Sequence, residues 1–205
     1  ILIVCKYNII NILLLKGGIV LDVKQFWDNI ASKKIALCGI GVSNTPLILN
    51  FLAKGARVYA CDRRTREQIG ELADKLEAAG AELRLGEDYL NDLEVDIIFR
   101  TPGMSFYMDE LSDARKKGIA VTSEMEVFFD LCPATIFAVT GSDGKTTTTT
   151  LVGRIFENAG RITHVAGNIG YPLSAVARVS KKTDMSVVEV SSFQLESIRT
   201  FHPKV

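Results

Sequence analysis

"FAVTGSDGKTTTTTLVG", Phe137 to Gly153, passes from an apolar run through a glycine-lysine turn into five consecutive threonines. Threonine is β-branched and only a moderate helix former, so its repetition at the head of an amphipathic segment needs a local reason. A loop of backbone N–H groups that ends at a helix N-terminus is an anion cradle, because those donors are unpaired and the helix dipole adds roughly half a positive charge. Gly141 and Gly144 let the backbone wrap around phosphates, Lys145 can reach their outer oxygens, and Thr146 offers a hydroxyl to Mg²⁺. The complete pattern G-x-x-x-x-G-K-[ST] requires glycine where Val139 stands, which leaves the shorter G-x-x-G-K-T of Gly141 to Thr146. Thr147 to Thr150 fill the first helical turn, where short hydroxyl side chains bond nearby backbone groups. On this reading alanine is tolerated at Thr149 and Thr150. The helix is expected over 146–160, packed through Leu151, Val152, Ile155 and Phe156.

Downstream, "ITHVAGNIG" and "MSVVEVSSF" read as two further strands, and "HPKV" as the start of another. Glu189 falls inside an apolar strand, where an unpaired carboxylate is expensive. A metal beside the phosphates would compensate for it; the alternative is an edge strand with Glu189 facing solvent. "GNIG", Gly167 to Gly170, is a strand-end turn able to present the Asn168 amide to a phosphate or substrate, although alone it is merely a turn.

Upstream, strand, glycine turn and helix recur. "KKIALCGIG" is a buried strand ending at Gly39 and Gly41, and "TPLILNFLAKGA" a helix with Leu47, Ile48, Phe51 and Leu52 on one face and Gly55 as its stop. "RVYACD" is a strand ending in Asp62, "REQIGELADKLEAAG" one amphipathic helix closed by Gly80, and "DIIFRTPG" a strand entering a Pro-Gly turn. A polar helix follows over about 110–117. Such alternation predicts a parallel sheet with right-handed crossovers, whose ligand crevice lies outside the carboxyl ends of the strands. Gly41, Asp62 and Thr101 to Gly103 all fall at such ends. GIGVSN puts Asn44 where a dinucleotide fingerprint has its third glycine, while Asp62 lies where an acid would bind a ribose hydroxyl. This favours a nucleotide-like ligand without supporting NAD; the competing reading is glycines needed only for tight packing.

The 205 residues carry 24 basic and 24 acidic side chains. That balance argues against nucleic-acid or membrane-surface partners. Cys5, Cys38, Cys61 and Cys132 are far apart in sequence and read as reduced core residues of a cytoplasmic protein. Residues 1–20, ILIVCKYNIINILLLKGGIV, differ in composition from the remainder. Lys6, Asn8 and Asn11 interrupt them as a membrane span, and no small-residue cleavage site marks a secretory signal. They are expected to be a non-native translated leader, with synthesis starting near Val20 or Leu21. The expected domains are then 21–131 and 132–205.

TGSDGKTTTT, GNIG and EVSSFQLE, in this order, resemble the Mur ligase family, over about Lys33 to Val205, and SSFQLE is most similar to members that add D-glutamate. The fold class implied is α/β: a Rossmann-like parallel-sheet N-terminal domain followed by a truncated P-loop-type α/β ATPase domain. The resemblance implies that Gly41, Val42, Ser43, Asp62, Arg63, Arg64, Thr101, Pro102 and Gly103 line a crevice for the UDP part of UDP-N-acetylmuramoyl-L-alanine. It implies ATP on Gly141, Ser142, Asp143, Gly144, Lys145, Thr146 and Thr147, with Mg²⁺ on Thr146 and Glu189. Asn168 and Ser191 are expected near the muramoyl-alanine end, and Lys145, Asn168 and Glu189 are the expected catalytic residues. The implied chemistry turns the alanine carboxylate into an acyl phosphate, which the D-glutamate amine attacks. The family's later histidine ligand, carbamylated lysine and C-terminal glutamate-binding domain have no counterpart up to Val205. The stretch therefore reads as a fragment of a protein expected to be monomeric at full length. His202 is expected to be a surface residue. The rival readings are another amide ligase, of the folylpolyglutamate or cyanophycin type, and a non-enzymatic nucleotide-sensing module.

Overall fold

The structure is a computed structural model that describes residues 2–5, 23–41, 44–171 and 173–195. It divides into two compact units, residues 24–124 and the described residues from 125 onward together with 2–5 and Val23. Among the described residues no helix is long and apolar enough to cross a membrane.

The first unit follows α1 (Val23–Ile30) with β2 (Lys34–Cys38), α2 (Asn44–Ala53), β3 (Arg57–Asp62), α3 (Arg66–Ile69), α4 (Glu71–Ala78), β4 (Glu82–Leu85), β5 (Ile97–Arg100), α5 (Asp109–Lys116) and β6 (Ala120–Thr122); β1 (Leu2–Cys5) belongs to the other sheet. The strands run parallel in the order β4-β3-β2-β5-β6. The chain winds outward from β2 through β3 to β4, then returns to build β5 and β6 on the other side. The adjacent carboxyl ends of β2 and β5 therefore mark the switch point in strand order, where a ligand crevice is expected. Ile35 to Cys38 are fully buried, as strands covered on both faces must be. Trp27, Phe51 and Phe99 stack in series, with ring centroids 5.6 and 5.1 Å apart. On α2, Leu47, Ile48 and Phe51 are buried, as the spacing predicts, and Leu52 is half-buried.

One expectation fails in this unit. The segment 66–80 is not a single helix, because Gly70 adopts φ 66° and breaks it into α3 and α4. Glycine reaches that left-handed region at no steric cost. Gly80, at φ 99°, ends α4 as expected.

The second unit contains α6 (Glu124–Leu131), which begins at the division, then β7 (Thr135–Val139), α7 (Lys145–Asn158), β8 (Thr163–Gly167), α8 (Leu173–Val179), β9 (Met185–Glu189) and α9 (Ser192–Leu195). Its sheet has the order β1-β7-β9-β8, with β7, β9 and β8 parallel and β1 antiparallel to β7. β9, the last in sequence among the described strands, lies between β7 and β8. That topology sets Glu189 in register with Val139 on one side and Gly167 on the other.

The packing face of α7 differs from the expected one. Leu151 and Ile155 are 58% and 55% exposed, whereas Thr149 and Gly153 are buried. The inner stripe runs through Thr149, Gly153 and Phe156, whose ring lies 4.6 Å from that of Phe137. The helix sits so close to the sheet that a Cβ on Gly153 would fall 2.7 Å from Val165 Cγ2. Small residues at 149 and 153 allow that approach; of the four expected packing residues, Val152 and Phe156 are half-buried and Leu151 and Ile155 are turned away.

Cys38, Cys61 and Cys132 are buried and free. Of the expected leader, residues 2–5 form β1, and 6–20 lie outside the described residues, as do Val42, Ser43, "HPKV" and His202.

Candidate functional site

The loop between β7 and α7 is built around two glycines with positive φ, Gly141 at 151° and Gly144 at 71°. Gly144, in the left-handed region, is the N-cap of α7, and its carbonyl accepts the Thr148 N–H at 2.9 Å. The loop ends on the N-terminus of a 14-residue helix, the arrangement that favours anions. Lys145 folds back over the loop and donates to the carbonyls of Gly141 (2.7 Å) and Ser142 (2.9 Å). Thr146 Oγ1 donates to Glu189 Oε2 at 2.8 Å. Glu189 is 5% exposed, which removes the reading of a solvent-facing edge residue.

The sheet topology brings the other expected residues of this unit to the same edge. Asn168 follows β8, and its N–H donates to the Glu189 carbonyl at 3.2 Å; its side chain is exposed. Ser191 lies just past β9, but its groups serve the chain itself. Its N–H donates to Gln194 Oε1 (2.7 Å), and its Oγ accepts the Gln194 N–H (3.3 Å). That reciprocal pair is a capping box at the start of α9.

The threonines divide differently from the expectation. Thr149 is fully buried and donates to the Lys145 carbonyl at 2.8 Å, whereas Thr150 is exposed and donates to that of Thr146 at 2.8 Å. Thr149→Ala should therefore destabilise the protein by about 1 kcal/mol, as loss of a buried methyl and hydroxyl outweighs the gain in helix propensity. Thr150→Ala should be neutral or slightly stabilising. Urea unfolding of the two variants checks this, and equal midpoints would contradict the assigned burial.

In the first unit, Gly41, Asp62, Arg64 and Thr101 line a cleft of ≈ 230 Å³ together with Gly39, Ile40 and Asn44. Asp62 accepts the Ile40 N–H at Oδ2 (2.7 Å) and the Arg64 N–H at Oδ1 (2.9 Å). The Arg64 guanidinium donates to both oxygens, at 3.0 and 2.8 Å, and to the Ile40 carbonyl. Burial pushes the Asp62 carboxyl up, but the hydrogen bonds from Arg64 and Ile40 outweigh it and hold the group below its ordinary range. Arg63 points away, into an exposed ion pair with Glu87 at 3.1 Å. Pro102 and Gly103 continue the turn after Thr101 without lining the cleft.

Asn44 was legible only as a departure from the glycine pattern. Its Nδ2 donates to the carbonyls of Cys38 and Gly39, both at 3.0 Å. It ties the turn to the head of α2, where a third glycine would have allowed close packing. Gly39 itself, at φ 95°, would place a Cβ 2.9 Å from Thr101 Cγ2.

Residues 139–204 match the family model described as Mur ligase middle domain. The chain is 49% identical over 172 residues to the UDP-N-acetylmuramoylalanine–D-glutamate ligase of Clostridium botulinum strain Okra, an alignment covering 83% of this chain and 38% of that protein. The chain belongs to the Mur ligase family. A ligase of the same name from Clostridium novyi is 48% identical over 177 residues, with 85% of this chain and 38% of that one covered. Among solved structures, a murein peptide ligase from Psychrobacter arcticus aligns over 79% of this chain and 39% of its own, at 20% identity and a TM-score of 0.45. The chain thus spans 38% of the length of these curated relatives.

Proposed function

We propose that this chain carries the uridine-nucleotide cleft and the ATP-phosphate loop of a ligase that joins D-glutamate to UDP-N-acetylmuramoyl-L-alanine in peptidoglycan synthesis. The observation that carries the reading is the Thr146–Glu189 contact of 2.8 Å at the mouth of the glycine loop, on a stretch 49% identical to enzymes of that name. A hydroxyl and a buried carboxylate side by side are hard oxygen donors of the kind Mg²⁺ takes beside nucleotide phosphates, so the residues fit the ion. Mg²⁺ there would neutralise charge on the phosphates of ATP.

The N–H groups of Gly141 to Thr147 bind the phosphate chain, and Lys145 exchanges its two loop carbonyls for γ-phosphate oxygens. The alanine carboxylate oxygen then attacks the γ-phosphorus and ADP leaves. Attack of the D-glutamate amine on the resulting acyl phosphate forms the amide and releases phosphate. Asn168, exposed beside Glu189, faces the muramoyl-alanine end, whereas Ser191 caps α9. In the first unit, Gly41, Asp62, Arg64 and Thr101 form the UDP crevice, with Asp62 and Arg64 at its centre. On this reading the protein acts as a monomer in the cytoplasm.

Calorimetric titration tests the assignment. The chain should bind UDP-N-acetylmuramoyl-L-alanine and Mg²⁺-ATP independently. Asp62→Ala should weaken only the first, by the roughly 1.5–3 kcal/mol of a hydrogen bond to a charged group. Because Asp62 is held acidic, it is ionised throughout the neutral range, and the stability it contributes is lost only as pH falls through its lowered pKa. The loss should therefore be the same at pH 6 and pH 8. Equal weakening of both ligands would overturn the assignment.

A further inference from the structure

We propose that Arg100 and Arg115 act as a two-armed clamp that fixes the 101–106 loop and, through Thr101, sets the affinity of the cleft for the uridine nucleotide. The proposal rests on the substrate reading above.

Arg100 is the last residue of β5, a strand buried along its whole length, and is itself only 2% exposed. A guanidinium is costly there unless its N–H groups are satisfied. The Arg100 Nη1 donates to the Met104 carbonyl at 2.7 Å and to that of Thr101 at 3.4 Å. From α5, Arg115 donates through Nη1 to the Phe106 carbonyl and through Nη2 to Ser112 Oγ, both at 2.8 Å. The same guanidinium lies 4.1 Å from the centroid of the Phe106 ring, and that of Arg100 lies 5.9 Å from it. One short loop thus has three of its carbonyls and the ring of its last residue, Phe106, held by two arginines. Lysine could not replace Arg115, whose two terminal nitrogens donate to separate acceptors while the guanidinium lies over the Phe106 ring.

The clamp reaches the cleft through Thr101. The Thr101 N–H donates to the Cys38 carbonyl at 3.0 Å, and the Met104 N–H closes the turn onto the Thr101 carbonyl at 3.1 Å. Thr101 also fills the space that a Cβ on Gly39 would need, at 2.9 Å. Gly39 leads directly to Ile40, whose N–H holds Asp62. Movement of the loop therefore changes the wall facing Asp62 and Arg64. Neither arginine lines the cleft, so both are positioning residues.

The test uses Arg115→Met, Arg115→Lys and Phe106→Leu in the full chain. It measures amide hydrogen exchange at residues 104–108 and affinity for UDP-N-acetylmuramoyl-L-alanine and Mg²⁺-ATP. Each variant should speed exchange at Met104 and Met108 while leaving α2 and β3 protected. The two Arg115 variants should weaken the uridine ligand on the order of tenfold, the scale of one lost charge-assisted contact; Phe106→Leu, which removes only the ring contact, should weaken it by roughly threefold, and all three should leave Mg²⁺-ATP unchanged. A purely structural role would lower the melting temperature without changing that ratio of affinities. Unchanged exchange, unchanged uridine affinity or full rescue by Arg115→Lys would each overturn the clamp. Failure of the wild-type chain to bind the uridine ligand would instead sink the substrate reading and the affinity half of the proposal, while exchange still decides whether the arginines hold the loop.

Discussion

Glu189→Gln should make the chain more stable and yet worse at binding Mg²⁺-ATP. The carboxylate is 5% exposed and follows Val187 and Val188, both fully buried. Burying a charge in such surroundings is unfavourable, and replacing it by a neutral group of the same shape is often stabilising. Glutamine keeps an oxygen to accept the Thr146 hydroxyl, which now reaches Oε2 at 2.8 Å, so the fold loses no hydrogen bond. A gain of about 1 kcal/mol would raise the melting temperature by roughly 2–4 °C for a chain of this size. The loss of an anionic ligand should weaken Mg²⁺-ATP binding about a hundredfold, or about 3 kcal/mol. ATP without Mg²⁺ should bind no worse, because the removed charge repels phosphate. Titrations with and without Mg²⁺, alongside melting curves, separate these terms. Unchanged Mg²⁺-ATP affinity would remove Glu189 from the metal site.

What could be read from the sequence follows from how each signal arises. The glycine-lysine loop was legible because its chemistry needs particular residues at fixed spacing, and a buried acid in an apolar strand is costly enough to stand out. Their meeting was not legible. It depends on β9 inserting between β7 and β8, an order that strand patterns alone do not specify. The short strands β4 and β6 escaped notice for a different reason. ELRL alternates only between exposed and half-buried positions, and AVT has three residues, so neither leaves a strong apolar run. Leu151 and Ile155 are exposed because hydrophobicity alone does not choose the packing face of α7. Backbone proximity chose it instead, through Gly153. Ser191 carried a readable signal that went unused: Ser-x-x-Gln at a helix start is a capping box, and it explains both side chains without a substrate. Arg100 had no such signal, since an arginine closing an apolar strand gives no hint of the loop that will wrap its guanidinium.

Gly167→Ala should be among the most damaging single changes in the second unit, although glycine to alanine looks slight. Gly167 has φ +105°, and a Cβ there would lie 2.1 Å from the Glu189 carbonyl oxygen and 2.9 Å from the Glu189 nitrogen. The obstacle is the backbone of a central strand, which cannot rotate aside as a side chain could. Strain from positive φ alone is worth about 1–2 kcal/mol, and forcing atoms into a packed core adds about 1–3 kcal/mol more. A total of about 2–5 kcal/mol is a large share of the roughly 5–15 kcal/mol that holds a domain folded. Gly160→Ala isolates the first contribution, because Gly160 has φ +73° with nothing near its missing Cβ, and it should cost only about 1–2 kcal/mol. Urea unfolding of both variants should show the larger shift in midpoint at position 167 with little change in slope. Any folded Gly167→Ala protein should also bind Mg²⁺-ATP poorly, since relief of the clash moves β9 and carries Glu189 away from Thr146. Equal midpoints for the two variants would mean that the close approach to Glu189 is not what the GNIG turn requires, and would leave Asn168 as its reason.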